Sequence, residues 1–334
     1  MPDDLRKFKI LSIDSGGIRS IYSAKILERF EFESGIPIYQ CFDLICGTGS
    51  GGLIALALSI GKSVNEIVNY FEQNYEYLAN HSTLDNCNCS FNGLANFFLH
   101  KLGFTGNKKD AEFKNSLEDF FGISCLEDAL LYLCLPCYDL NTNTPIIFRK
   151  NHNDLFRAKN IRMSEVALSI CAKYSTNGKR IHKYEHWDSL YTTGEIWAYN
   201  PALWGLTEAL LYFYSINSKD SRYTGIELLS IPAFQMKNQP ENKPLNKKML
   251  WELSLDGQSY FTNFMLSVLS ENILNKYSIN YQRIPVIKRS IIEDLQIKSV
   301  SLSNEKFVRI IKDFAENDNK GLIINPNFRK FFCL

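Results

Sequence analysis

Two strand–turn–helix units stand within the first sixty residues, and they restrict the fold more than anything else in this chain. The first is Phe8-Lys9-Ile10-Leu11-Ser12-Ile13, an apolar run of strand length that leads into Asp14-Ser15-Gly16-Gly17. A helical pattern follows, with Ile21, Ala24, Ile26, Leu27 and Phe30 on one side. The second unit runs from Cys41 to Cys46, reaches Gly47-Thr48-Gly49-Ser50-Gly51-Gly52, and enters a helix over 53–60 that is apolar nearly all round. A strand buried on both faces has no polar side to alternate, so short continuous apolar runs separated by helices indicate a parallel sheet covered by helices. A helix apolar on every side is itself buried.

Later segments continue this pattern. Ser63-Val64-Asn65-Glu66 is a capping box opening an amphipathic helix with Ile67, Val68, Phe71 and Tyr75 on one face. Ala129 to Tyr138 and Pro145 to Phe148 read as strands around a turn at 141–143. Ser164 is expected to cap a helix through Ala172, Pro201 to start one reaching about Phe213, and Glu227 to Ile231 to form a further strand. The polar, Pro- and Asn-rich stretch 237–248 reads as a surface loop. Length alone suggests about two domains, but no repeat, low-complexity tract or linker divides the 334 residues. One domain over 1–334 is expected, with a core at about 7–232 and a C-terminal helical extension at about 249–334.

Composition then narrows the function classes. With 45% hydrophobic and 13% aromatic residues the chain can bury a large core, which excludes a disordered segment. The 37 basic and 36 acidic residues leave a net charge of +1, without the basic field that a general nucleic-acid binder needs. No apolar run approaches the ~20 residues of a membrane-spanning helix, and MPDDLRKFKI does not read as a secretory signal. The expected location is the cytoplasm. Nine cysteines at irregular spacing fit reduced core thiols. Cys134-Leu-Pro-Cys137 and Cys87-Asn-Cys89 have the close spacing of zinc ligands, but the run LYLCLPCYDL favours burial. His182 and His186 lack a third ligand, so neither a metal nor a cofactor is expected.

Neither glycine turn fits a nucleotide fingerprint: no G-x-x-x-x-G-K-[ST] is present, and GTGSGG lacks the G-x-G-x-x-G order. Taken together, KILSIDSGGIRSIYSAKILERFE and FDLICGTGSGGLIALALSIGKS resemble the start of the patatin-like phospholipases, a family of lipid acyl hydrolases. YDLNTNTPIIFRK is similar to that family's strand pair after the lid region, Ile196 to Ala202 to the stretch after its catalytic aspartate, and Ile226 to Ile231 to its late strand. The resemblance is nearest to bacterial members, in particular cyclic-nucleotide-activated phospholipases of antiphage systems. It implies an α/β fold of three α/β/α layers with a mainly parallel central sheet. It also implies an Asp-Gly-Gly-Gly-x-Arg-Gly oxyanion loop, a Gly-x-Ser-x-Gly nucleophile elbow and an Asp-Gly-Gly or Asp-Gly-Ala aspartate.

Against that pattern the chemistry is missing. Gly49 stands at the nucleophile position and Thr193, in Thr193-Gly194-Glu195, at that of the aspartate. Ser15 and Ser20 replace two loop glycines, while Gly16, Gly17 and Arg19 remain. Ser50, one residue along, is the candidate substitute nucleophile, but it falls in the first helical turn, rotated by roughly 100°, and needs a base such as Asp188. Asp256-Gly257-Gln258 resembles the aspartate motif in the wrong place. The expected function is therefore a catalytically inactive patatin-like protein acting through a ligand or a partner. Ser15, Gly16, Gly17, Arg19 and Gly51 form a candidate anion-binding rim, and Asp14 and Arg19 a pair that pins the first loop. Candidate ligands are a cyclic nucleotide or a lipid-like molecule. Two alternatives stay open: an acyl hydrolase using Ser50, and an assembly role through a protein partner or homo-oligomer. Phe97-Phe98-Leu99 and Phe331-Phe332 suit peripheral membrane or subunit contact, although core packing is the ordinary role of such pairs.

Overall fold

The computed structural model describes residues 6–80, 108–150, 161–172, 182–183, 190–213, 223–236, 247–273, 278–289, 305–332 and 334. Strand β1 (Arg6–Ile13) runs into a 3-10 turn (Gly17–Ser20) and then α1 (Ile21–Ser34). Gly35, at φ 64°, ends α1 in the left-handed conformation that glycine adopts without steric cost. The short α2 (Ile38–Cys41) precedes β2 (Leu44–Gly47) and the buried α3 (Ser50–Ser59). The strand expected from Cys41 is thus shorter, because its first residue ends α2. Next come α4 (Val64–Gln73), α5 (Tyr75–Asn80), α6 (Lys108–Phe121), β3 (Tyr132–Asp139) and β4 (Thr144–Phe148). The Ser63 side chain accepts from the Glu66 N–H while the Glu66 carboxylate accepts from the Ser63 N–H, so the capping box is formed in full.

The remaining elements close the sheet. They are α7 (Met163–Cys171), β5 (His182–Lys183), β6 (Leu190–Thr193), α8 (Glu195–Ala198), α9 (Ala202–Glu208), β7 (Tyr223–Ile231) and β8 (Gln235–Met236). After them stand α10 (Lys247–Val268), β9 (Ile279–Arg283), β10 (Lys288–Arg289), α11 (Glu305–Leu322) and α12 (Pro326–Arg329). Arg162, not Ser164, is the N-cap residue of α7. After α9 the chain continues as a π-helical turn over Ala209–Phe213.

The main sheet has eight strands in the order β5-β6-β3-β2-β1-β7-β9, with β4 beside β3. The pairs β1–β2, β2–β3, β1–β7 and β7–β9 are parallel; β3–β4, β3–β6 and β5–β6 are antiparallel. The central strands are covered on both faces. Leu11, Ile13, Ile45, Leu133 and Leu229 pack with α1, α3, α4 and α7, whereas Phe8, Ile10, Leu44, Ile226 and Leu228 pack with Ala202 and Leu206 of α9 and Leu266 of α10. This is the three-layer α/β/α arrangement with a mostly parallel sheet. The segment beyond 249 is not only helical, since it supplies β9 to the sheet and packs α11 against α1. Phe331 and Phe332 are core residues, Phe332 stacked on Phe30. Cys134 and Cys137 lie three residues apart on β3 and enter opposite cores, so they do not share one metal ion. Cys87, Cys89, His186, Asp188 and Phe97-Phe98-Leu99 lie outside the described residues, and of His182 only the backbone is described. No helix among the described residues is long and apolar enough to cross a membrane.

Candidate functional site: an elbow with its side-chain space filled

The carboxyl ends of β1, β2 and β7 are adjacent in the sheet, and the two glycine loops leave from the first two. That edge of a parallel sheet is where α/β proteins gather their ligands. Between Gly47 and Ser50 the chain must turn from strand to helix, and Gly49 makes the turn at φ 54° and ψ −122°. A residue with a side chain holds such a conformation only under strain enforced by its surroundings. A nucleophile elbow imposes that strain on a serine to lift its oxygen clear of the sheet. Here the bent backbone persists, and the residue at its apex is glycine.

The space above Gly49 is occupied. A Cβ built there would fall inside the van der Waals envelope of Ser15 Oγ, 3.3 Å from Ser15 Cβ and 3.0 Å from Glu195 Oε1. The Ser15 hydroxyl donates to the Glu195 carboxylate across 180 residues of sequence, and both side chains are buried. Ser15 comes from the β1 loop and Glu195 opens α8, just beyond the expected aspartate position. Thr193 is buried as well, its hydroxyl accepting the Glu195 N–H at 3.3 Å and its own N–H donating to Ala172 O. The α8 segment is tied to both glycine loops, through Ser15 N–H to Tyr199 O and Thr48 Oγ1 to Ala198 O. Burial pushes the Tyr199 phenol up to about 12.

Ser50 is the first residue of α3, 4% exposed. Its oxygen accepts the Gly16 N–H at 3.1 Å and lies 2.7 Å from Ser20 Oγ. Among the described residues no carboxylate is hydrogen-bonded to it, and a serine hydroxyl needs such a base to become a nucleophile. The two serines that depart from the family pattern thus have partners: Ser15 takes Glu195, and Ser20 takes Ser50.

The five residues of the candidate anion rim are brought together only in part. Gly16 spends its N–H on Ser50, and Gly51 spends its own on Thr48 O at 2.9 Å. Arg19 directs Nε to Gly16 O at 3.3 Å. Gly17, at φ 60°, and Ile18 follow as the first residues of the buried 3-10 turn. Asp14 does not pair with Arg19. Its carboxylate receives two hydrogen bonds from Arg283, at 3.2 and 2.6 Å, inside a cluster with Ser230 and Ser259. Burial pushes the Asp14 carboxyl above its ordinary value, with the Arg283 charge pulling the other way. Sequence reasoning missed both Glu195 and Arg283. Glu195 did carry a weak signal, an acid set among apolar residues beside a lost motif; Arg283, at the end of a strand 269 positions from its partner, carried none.

A glycine loop beside a strand–turn–helix elbow, at the carboxyl edge of a mostly parallel sheet, defines the class of α/β protein that gathers its site at that edge. Residues 11–173 match the family model described as patatin-like phospholipase, and the chain carries a patatin fold. A cGAMP-activated phospholipase of Pseudomonas aeruginosa is 28% identical over 166 residues, covering 49% of this chain and 46% of that protein. One from Escherichia coli is 26% identical over 215 residues, covering 61% and 56%. Patatin-like protein 2 of Oryza sativa subsp. indica is 28% identical over 183 residues, covering 51% and 44%. The chain thus spans about half the length of these relatives.

Proposed function

We propose that this chain is a patatin-like module that has given up the family's serine–aspartate chemistry and acts by binding a ligand or a partner. The observation that carries the reading is the filled elbow. Gly49 offers no nucleophile, and the Ser15–Glu195 contact occupies the space a nucleophile needs. The Ser50 hydroxyl, the nearest substitute, is held by Gly16 and Ser20, with no carboxylate hydrogen-bonded to it among the described residues. The amides of Gly17 and Ile18 keep an anion-attracting character at the loop. Relatives from three bacteria bear the name cGAMP-activated phospholipase, which supports a cyclic nucleotide as the ligand class; bacterial antiphage signalling is the setting we infer.

Two measurements test this. Purified protein and its Ser50→Ala variant are incubated with a phospholipid and with a p-nitrophenyl ester; both are expected to be silent, and Ser50-dependent release of product overturns the reading. Thermal shift is then measured with cyclic dinucleotides and trinucleotides, since a ligand that binds only the folded state raises the melting temperature. The absence of any shift removes the cyclic-nucleotide assignment.

One observation favours a second reading. A buried hydroxyl donating to a carboxylate is the chemical pairing of a serine–carboxylate dyad, so Ser15 and Glu195 would be the residues of a relocated acyl hydrolase. Ser15 is fully buried, which is why the binding reading is preferred. Fluorophosphonate labelling mapped by mass spectrometry separates the two, because an adduct on Ser15 establishes the relocated dyad.

A further inference from the structure

The longest helix among the described residues, α10, has two unlike sides. Leu255, Ser259, Thr262 and Leu266 face the body of the protein and are buried. On the opposite side Leu250, Leu253, Tyr260, Phe261 and Phe264 are 50 to 75% exposed. Positions 250, 253, 257, 260 and 264 alternate steps of three and four, the spacing of a seam between paired helices. Gly257 fills the middle position, and nothing lies within 4 Å of a Cβ built on it. The seam therefore has bulky side chains at both ends and an open notch at its centre.

From the size of such side chains, the five expose about 550 Å² of largely apolar surface. That is at the upper end of the largest patch on an ordinary monomer, and patches of this size are commonly functional.

We propose that this face of α10 is the interface between two copies of the chain, packed antiparallel about a two-fold axis. Two such faces together bury about 1,100 Å², enough to clear the ~1,000 Å² expected of a specific interface. The pattern is also self-complementary, as a two-fold interface must be. Gly257 meets Gly257 of the second copy, so the helices approach closely, and the leucine end of each seam meets the aromatic end of the other. A lipid surface suits the helix less well. Its basic residues, Lys247 and Lys248, are confined to the first turn, while Glu252 and Asp256 border the stripe and Asp256 already pairs with Lys288. The proposal does not depend on the proposed function, because none of these residues belongs to the elbow.

Sedimentation velocity over a concentration series is the test. The protein is expected to form a dimer, and Tyr260→Glu/Phe264→Glu to be monomeric with an unchanged circular dichroism spectrum. Gly257→Gln supplies a second variant. Glutamine forms helix better than glycine and meets open space in the monomer, so the helix is preserved while the dimer association constant falls at least tenfold. A protein that is monomeric throughout, or a dimer that neither variant weakens, overturns the proposal. So does a monomer that co-sediments through this stripe with phosphatidylglycerol vesicles, which would assign the face to lipid.

Discussion

Putting a serine back at the elbow is expected to destabilise the fold, and the size of the loss follows from the geometry. At φ 54° a residue with a Cβ pays about 1–3 kcal/mol of backbone strain. The new Cβ also meets Ser15 and Glu195 closer than packed atoms tolerate, and overpacking of this kind costs about 1–3 kcal/mol more. Gly49→Ser should therefore lose about 4 kcal/mol, a large part of the stability of an ordinary domain. Ser15→Gly removes the obstructing side chain, and alone it costs about 1–3 kcal/mol for the hydrogen bond to Glu195. In the double variant the overpacking against Ser15 disappears, while the backbone strain and the 3.0 Å approach to Glu195 remain. The two substitutions should thus couple, with the pair more stable than the sum of the singles by about 1–3 kcal/mol. Urea denaturation of the four proteins at neutral pH measures this directly. Additive losses, or a Gly49→Ser variant as stable as the parent, would refute the claim that Ser15 occupies the nucleophile's space.

Three further outcomes are expected. Arg283→Met leaves the Asp14 carboxylate buried without its partner and should cost about 3–5 kcal/mol, most of which Asp14→Asn in the same chain recovers; a loss below about 1 kcal/mol in the single variant contradicts this. Burial pushes the Cys46 thiol up to about 12 and raises Cys134 and Cys137 as well, whereas Cys125 and Cys171 are partly exposed. Iodoacetamide on the native protein should modify Cys125 and Cys171 well before the three buried thiols, and equal rates would count against the packing described. The Ser63 backbone N–H holds the Glu66 carboxyl below its ordinary 4.5. The stability Glu66 contributes is thus present above that value and is lost as the pH falls through the lower folded one. Glu66→Gln should flatten the acid limb of a stability–pH curve, and an unchanged limb would exclude the capping box as its source.

What the sequence disclosed and what it hid divide along one physical line. The elements at the two glycine turns, the capping box at Ser63 and the buried strand around Cys134 were legible because each is set by neighbours within a few positions: an apolar run, a cap, a turn residue. That a glycine stands at the apex of the second turn, Gly49, was legible for the same reason, since the turn is a local motif. The reason the elbow is still bent was not. Glycine leaves such a turn free to relax, yet Gly49 holds a positive φ, because Thr48 is fastened to Ala198 and the Gly51 and Gly52 amides both return to Thr48. The backbone is thus held by the sheet edge around it and not by the residue at its apex. The same holds for the serines. Read along the chain, Ser15 and Ser20 are only two departures from a glycine loop. In the fold one reaches Glu195 beside the apex at Gly49, and the other engages the hydroxyl of Ser50. Each is a small polar side chain that satisfies a buried partner, as the cost of an unpaired buried polar group requires. Arg283 makes the point most strongly. Asp14 needs a cation in a buried place, Arg19 stands only five residues away, and the partner is supplied by β9, which becomes a neighbour only through the order of strands in the sheet.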